Sequence, residues 1–175
     1  LYEQGKAAFV YNRSMKSSIA AFKYGARKEY GRYYAAELAK KHESWIKKTG
    51  AQALIPVPIH KERHKKRGYN QAKVIADYLE GETGIPVIDD YLIRIKNTEA
   101  LKELSAAERK ASLEDAFLVS ETSKLLYRNL RCVILVDDIY TTGSTINECA
   151  ATLKKSGVLK VYFLCACIGK DQGGE

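Results

Sequence analysis

The hydrophobic and polar positions fall into short blocks whose period switches along the chain. Tyr30, Tyr34, Leu38 and Trp45 recur at helical spacing, Lys47 and Lys48 occupy the last turn, and Gly50 stops it, so residues 1–50 read as a helical, polar-faced segment. Residues 53–55 are an apolar run too short for a helix; they predict a buried strand that Pro56 and Pro58 end in a rigid loop. Between residues 70 and 79, Val74 shares a face with Tyr78 and Ile75 with Leu79, giving a second helix closed by Gly81 and Gly84. Residues 91–95 alternate as a strand does, and residues 116–119 form a short second one. The polar stretch between them, 96–115, exceeds most connections in a compact domain and reads as a mobile, functional loop with a helical turn in it. Residues 132–136 are continuously apolar, as in strands buried on both faces of a parallel sheet. A helix over 145–156 carries Ile146, Cys149, Ala150 and Leu153 on one stripe, and the run 161–168 is the last strand.

Strands alternating with helices predict βαβ units and a parallel sheet with helices on its faces. One domain over residues 1–175 follows, with the helical segment 1–50 in front of an α/β core, 51–175. Ligands of such sheets bind at the carboxyl ends of the strands, so candidate chemistry is sought there.

Composition narrows the partners. The 175 residues are 46% hydrophobic and 29% charged, as in soluble globular proteins, which excludes disordered, collagen-like and coiled-coil classes. The longest apolar run falls far short of the ~20 residues of a membrane helix, and no signal peptide is visible. The chain opens on Leu1 rather than Met, which implies that a front portion is missing. A net charge of +8 favours phosphates, pyrophosphate or nucleic acid. Cys132, Cys149, Cys165 and Cys167 form no CxxC pair, which supports neither a zinc site nor a disulfide framework and points to a reducing cytoplasm.

One stretch concentrates chemistry: Cys132-Val-Ile-Leu-Val-Asp-Asp-Ile-Tyr-Thr-Thr-Gly-Ser-Thr145. A buried strand runs into two acids, then a hydroxyl-rich turn, then a helix. The helix N-terminus suits a phosphate dianion; Thr141, Thr142, Ser144 and Thr145 add donors, and Gly143 lets the backbone close around the anion. Asp137 and Asp138 suit a vicinal diol or a magnesium shell. Phosphate, diol and metal together indicate a sugar phosphate. The bland reading, a solvated turn with Ser144 or Thr145 as a helix cap, accounts for single residues but not for the whole string. No Gly-Lys-Ser/Thr follows and no GxGxxG precedes, so neither a P-loop nor a dinucleotide fingerprint is present.

The stretch Val136 to Thr145 resembles the phosphoribosyl pyrophosphate signature of type I phosphoribosyltransferases. Phe22-Lys-Tyr-Gly25, Val57-Pro-Ile-His60, Arg67-Gly-Tyr-Asn-Gln71, Arg94-Ile-Lys-Asn-Thr98, Leu104-Ser105, Glu108-Arg109 and Ala116-Phe117 narrow the resemblance to the ComF/GntX group, bacterial proteins named for competence and DNA uptake. The group usually starts with a four-cysteine zinc module, and this chain begins after it. Leu101 and Ser112 depart from the Gln and Asn of the group's pattern.

The resemblance implies a type I phosphoribosyltransferase fold, a parallel sheet flanked by helices, with residues 1–50 as a small hood. It implies that Asp137 and Asp138 hold the ribose diol and magnesium, and that residues 141–145 hold the 5′-phosphate. The basic loop 61–67 grips pyrophosphate, chiefly through Arg67 and Gly68, with Arg94 and Lys96 in reach. Lys102 and Arg109 lie in a loop that closes over the ligand. Phe22, Tyr24 and Tyr30 resemble hood residues, though plain helix packing would look the same. His60 and His64 are four apart but lack a third metal ligand.

Two readings follow. In one, an enzyme binds magnesium phosphoribosyl pyrophosphate and a nitrogen nucleophile displaces pyrophosphate at C1, with positioning and charge stabilisation in place of a covalent nucleophile. In the other, a non-enzymatic DNA-uptake factor uses the pocket as a nucleotide sensor, meets single-stranded DNA through its basic surface, and works with a competence helicase or uptake proteins. No aromatic ladder interleaves a basic strand, which limits direct stacking on DNA. A salvage enzyme for purines or pyrimidines fits less well.

Overall fold

The computed structural model describes residues 1–97 and 105–169. In chain order its elements are β1 (Gly5–Val10), α1 (Arg13–Tyr24), α2 (Glu29–Thr49), β2 (Ala53–Pro56), α3 (Lys61–Arg67), α4 (Gln71–Thr83), β3 (Leu92–Arg94), α5 (Ala106–Leu113), β4 (Phe117–Val119), α6 (Glu121–Leu126), β5 (Cys132–Tyr140), α7 (Ser144–Lys155) and β6 (Lys160–Ile168). Four strands form a parallel sheet in the order β1-β6-β5-β2. The expected α/β architecture, a parallel sheet flanked by helices, is what folds.

The continuous apolar runs explain the layers. Side chains alternate across a strand, so Val133 and Leu135 of β5 join Ile146, Cys149 and Leu153 of α7 on one face. Ile134 and Val136 point the other way, into Tyr34, Leu38 and Ile46 of α2 and Ile75 and Leu79 of α4. β3 and β4 stand apart as an antiparallel pair, with Arg94 opposite Phe117. Among the described residues no helix is long and apolar enough to cross a membrane.

Several elements differ from expectation. Residues 5–10 are not helical: β1 pairs with β6 along the sheet edge, and its residues are mostly half-buried, so it carries no strong apolar run to betray it. Its outer edge is covered by α2, where Lys41 Nζ donates to the Ala8 carbonyl (2.8 Å) and His42 Nε2, at a kink in the helix, donates to the Ala7 carbonyl (2.8 Å). The basic stretch 61–67 is a helix rather than a loop. His60 caps it, Gly68 ends it at φ 80°, and none of its residues is buried, so no apolar stripe announces it. β5 runs four residues beyond Val136, which puts both acids inside the strand. Within the polar stretch 96–115, α5 replaces much of the expected loop; Leu101 and Lys102 lie outside the described residues.

Candidate functional site

At the carboxyl end of β5 the sheet opens into a cleft of about 240 Å³. Asp137 and Asp138 form its floor, and three elements bring cations to it: Lys23 from the last turn of α1, Arg63 and Arg67 from α3, and Arg94 from β3. Thr141 and Thr145 line its far end, beside a smaller hollow of about 30 Å³ enclosed by the turn 141–145.

The acids are held by their own strand. Asp137 Oδ1 accepts the Asp138 backbone N–H (2.8 Å), and Asp138 Oδ1 accepts that of Ile139 (2.8 Å). The second Asp138 oxygen, Oδ2, lies 3.0 Å from Lys23 Nζ, in an ion pair with little solvent exposure on either side. Burial, reinforced by the charge of Asp138, pushes the Asp137 carboxyl well above the usual carboxylate range. For Lys23, burial acts to lower the pKa, but the contact with Asp138 outweighs it and the net direction is up. Lys23 therefore remains an ammonium.

The turn after the strand is shaped by Tyr140. Its ring stacks on Phe163 (centroids 4.8 Å apart, 1° between planes) and its hydroxyl shares a hydrogen bond with that of Tyr2 (2.7 Å). A Cβ at position 143 would lie 2.3 Å from the Tyr140 hydroxyl, and φ there is +77°, so glycine is required on both grounds. Gly143 is also the N-cap of α7 and supplies no side-chain oxygen to the first turn. Thr142 and Ser144 hydroxyls bond each other (2.9 Å), and the Ser144 N–H reaches Thr142 Oγ1 (3.4 Å). An uncapped helix start, with hydroxyls around it, faces the hollow.

The guanidinium of Arg67 is fixed on two sides. It donates to Gln71 Oε1 (3.1 Å) and lies 5.4 Å over the exposed ring of Tyr24. Gln71 is buried, and its Nε2 makes no hydrogen bond with a described residue, although it neighbours the Tyr69 phenol. Arg94 is largely buried, lies 5.4 Å over Phe117, and donates from Nε to the Lys96 carbonyl (3.3 Å). Burial and the nearby charge of Arg63 both press its pKa downward.

Of the residues named from sequence, Asp137, Asp138, Thr141, Thr145, Arg67 and Arg94 meet in the cleft, while Thr142, Gly143 and Ser144 form the turn beside it. Gly68 serves as the left-handed end of α3. Lys96 does not join the cleft; its Nζ donates to the Glu114 carbonyl. Arg109 falls on α5 with its side chain outside the described residues, as is the whole of Lys102. Phe22 is fully buried against Tyr34, which makes it core, whereas Tyr24 is exposed and meets Arg67. His60 Nδ1 accepts the Glu62 N–H as a helix cap. Lys23, Arg63 and Gln71 lie in stretches the sequence marks but have no role of their own there. Arg63 and Arg67 are one helical turn apart, a pairing that is visible only once residues 61–67 are read as helix.

A larger hollow of about 370 Å³ between α2 and α4 is lined by Lys40, Glu43, Lys47 and Glu82 but by no adjacent acids at a strand's carboxyl end and no helix start.

No protein-family profile matches the chain. It is 40% identical over 111 residues to Competence protein F of Haemophilus influenzae, covering 63% of this chain and 47% of that protein. It is 27% identical over 157 residues to Competence protein ComFC of Bacillus subtilis, covering 90% and 60%. It is 28% identical over 160 residues to DNA utilization protein YhgH of Salmonella typhimurium, covering 90% and 68%. The chain thus spans about half to two-thirds of the length of these curated relatives, and their names support a ComF-type competence family.

Proposed function

We propose that the chain is a phosphoribosyltransferase-fold protein that binds magnesium phosphoribosyl pyrophosphate in the β5 cleft and transfers the phosphoribosyl group to a nitrogen acceptor. Its setting is the handling of DNA during competence, in the cytoplasm. The relatives named for competence and DNA utilization support that setting, and the four free thiols suit a reducing compartment. The observation that carries the chemical reading is one continuous piece of chain. A strand carrying two acids near its carboxyl end passes through a glycine-dependent turn into an uncapped helix, while cations from α1, α3 and β3 converge opposite.

In this reading residues 141–145 and the start of α7 take the 5′-phosphate, the acids take the ribose diol, and Arg63, Arg67 and Arg94 take the pyrophosphate. The donor set on the floor is all oxygen, which suits magnesium. Asp137 and Asp138 would hold the ion through water or the diol, and the ion would supply neutralising charge to the pyrophosphate. The nitrogen lone pair forms the new bond to C1 as the C1–O bond breaks, and its electron pair leaves with pyrophosphate. The fixed guanidinium groups stabilise the growing charge. The displaced proton goes to one of the two acids on the floor.

Calorimetry with phosphoribosyl pyrophosphate, with and without magnesium, tests the binding. Asp137→Asn combined with Asp138→Asn should abolish it while a folded circular dichroism spectrum persists. Unchanged affinity in the double variant would overturn the site. A pyrophosphate-release screen over bases and amines then identifies the acceptor.

The second reading, a nucleotide sensor that meets single-stranded DNA, draws on the open aromatic faces beside basic helices. Tyr24 is 70% exposed, and Tyr33 is 55% exposed and stacks on Phe9 (5.6 Å). Bound phosphoribosyl pyrophosphate with no pyrophosphate release on any acceptor would favour it.

A further inference from the structure

We propose that Lys23 is the resident counter-ion of the acid pair: it pairs with Asp138 Oδ2, and it is handed over to the ligand's anionic oxygens when a diol or a divalent cation takes its place. The inference rests on the ligand reading above and adds to it a residue and an order of exchange.

Three observations carry it. Asp138 Oδ1 already accepts the Ile139 N–H, and Lys23 Nζ sits 3.0 Å from the other oxygen, Oδ2. Two of the other three cleft cations are held by partners of their own: Arg67 by Gln71 and Tyr24, and Arg94 by the Lys96 carbonyl and Phe117. The backbone beneath Lys23 is fixed, because Phe22 is fully buried and its carbonyl accepts the Tyr69 hydroxyl. Only the flexible lysine stem can move, and an ammonium on four methylenes swings at small cost.

The consequence is selectivity in the empty cleft. A free divalent cation meets an acid that already has its partner and gains little by displacing it. A phosphorylated sugar brings both a diol for Asp138 and an anion for the released ammonium, so the exchange is balanced. Lys23 thus acts as a specificity-determining residue for ligands that carry both groups.

The test titrates manganese(II) alone and phosphoribosyl pyrophosphate alone, in metal-free buffer, into wild type, Lys23→Met and Lys23→Arg. A charge-assisted hydrogen bond of the usual strength predicts that Lys23→Met binds manganese(II) about tenfold or more tighter than wild type. It should bind metal-free phosphoribosyl pyrophosphate about tenfold weaker, and Lys23→Arg should behave like wild type in both titrations. Equal manganese affinity in Lys23→Met and wild type overturns the counter-ion role. No phosphoribosyl pyrophosphate binding by wild type, together with the manganese response in Lys23→Met, overturns the ligand reading and leaves the counter-ion role standing. Should Lys23→Met fail to fold, the wild-type protein answers directly. The Nζ resonance of Lys23 in isotope-labelled protein must move on saturation with phosphoribosyl pyrophosphate, and an unmoved resonance overturns the handover.

Discussion

Gly143→Ala is the most direct probe of how the turn after β5 is built. The added methyl would stand 2.3 Å from the Tyr140 hydroxyl and 2.8 Å from Cζ, well inside van der Waals contact. The backbone at φ +77° adds a left-handed penalty of about 1–2 kcal/mol for a residue with a Cβ. Tyr140 cannot retreat freely, because it is 6% exposed, stacked on Phe163 and bonded to Tyr2. Shifting it weakens an aromatic pair and a hydrogen bond, together about 1–2 kcal/mol. The sum, about 2–4 kcal/mol, corresponds to a fall in Tm of about 5–15 °C for a chain of this size. Thermal unfolding followed by circular dichroism measures it. Tyr140→Phe in the same background removes the closest clashing atom, so the double variant should be more stable than the sum of the single effects by about 1 kcal/mol. A Gly143→Ala protein within about 0.5 kcal/mol of wild type, or strict additivity in the cycle, would falsify the account of the turn.

Two further outcomes are expected. Asp137 has a folded pKa raised above its ordinary value near 4, so its contribution to stability is full below that value and is lost as pH rises through the folded pKa. Wild type should therefore lose stability from about pH 4 upward by this one group; Asp137→Asn should lack that component, and parallel pH–stability curves for the two proteins would refute it. Binding of single-stranded DNA should be weak, fall steeply with salt and show little base preference; reversing Lys61, Lys65 and Lys66 on α3 should weaken it, and tight, salt-insensitive binding would contradict a charge-driven surface.

The parts legible from residues alone were those with strong local signals. The runs at 132–136 and 161–168 are mostly buried on both faces and so read as strand interiors, and the string from Asp137 to Thr145 marks its own strand, turn and helix. The parts that were not legible owe their structure to distant partners. β1 is strand only because β6 offers it a hydrogen-bonding edge more than a hundred residues later, and no local period encodes that. α3 has no buried face, so hydrophobic spacing is silent about it, and the shared direction of Arg63 and Arg67 was hidden with it. Lys23 stood in view within Phe22-Lys-Tyr-Gly25, yet its meaning depends on a contact with Asp138 that only the folded chain creates.

The pairing of β1 with β6 sets the order in which the molecule can be assembled. During synthesis β1 leaves the ribosome more than a hundred residues before β6, so it waits without its partner while the elements between them are made. The Lys41 and His42 contacts from α2 are made to β1 carbonyls and can form early, shielding one edge of the waiting strand while the other stays open. Closure of the sheet and docking of Tyr2 on Tyr140 then become late, long-range steps, and the turn after β5 acquires its support only when β6 arrives.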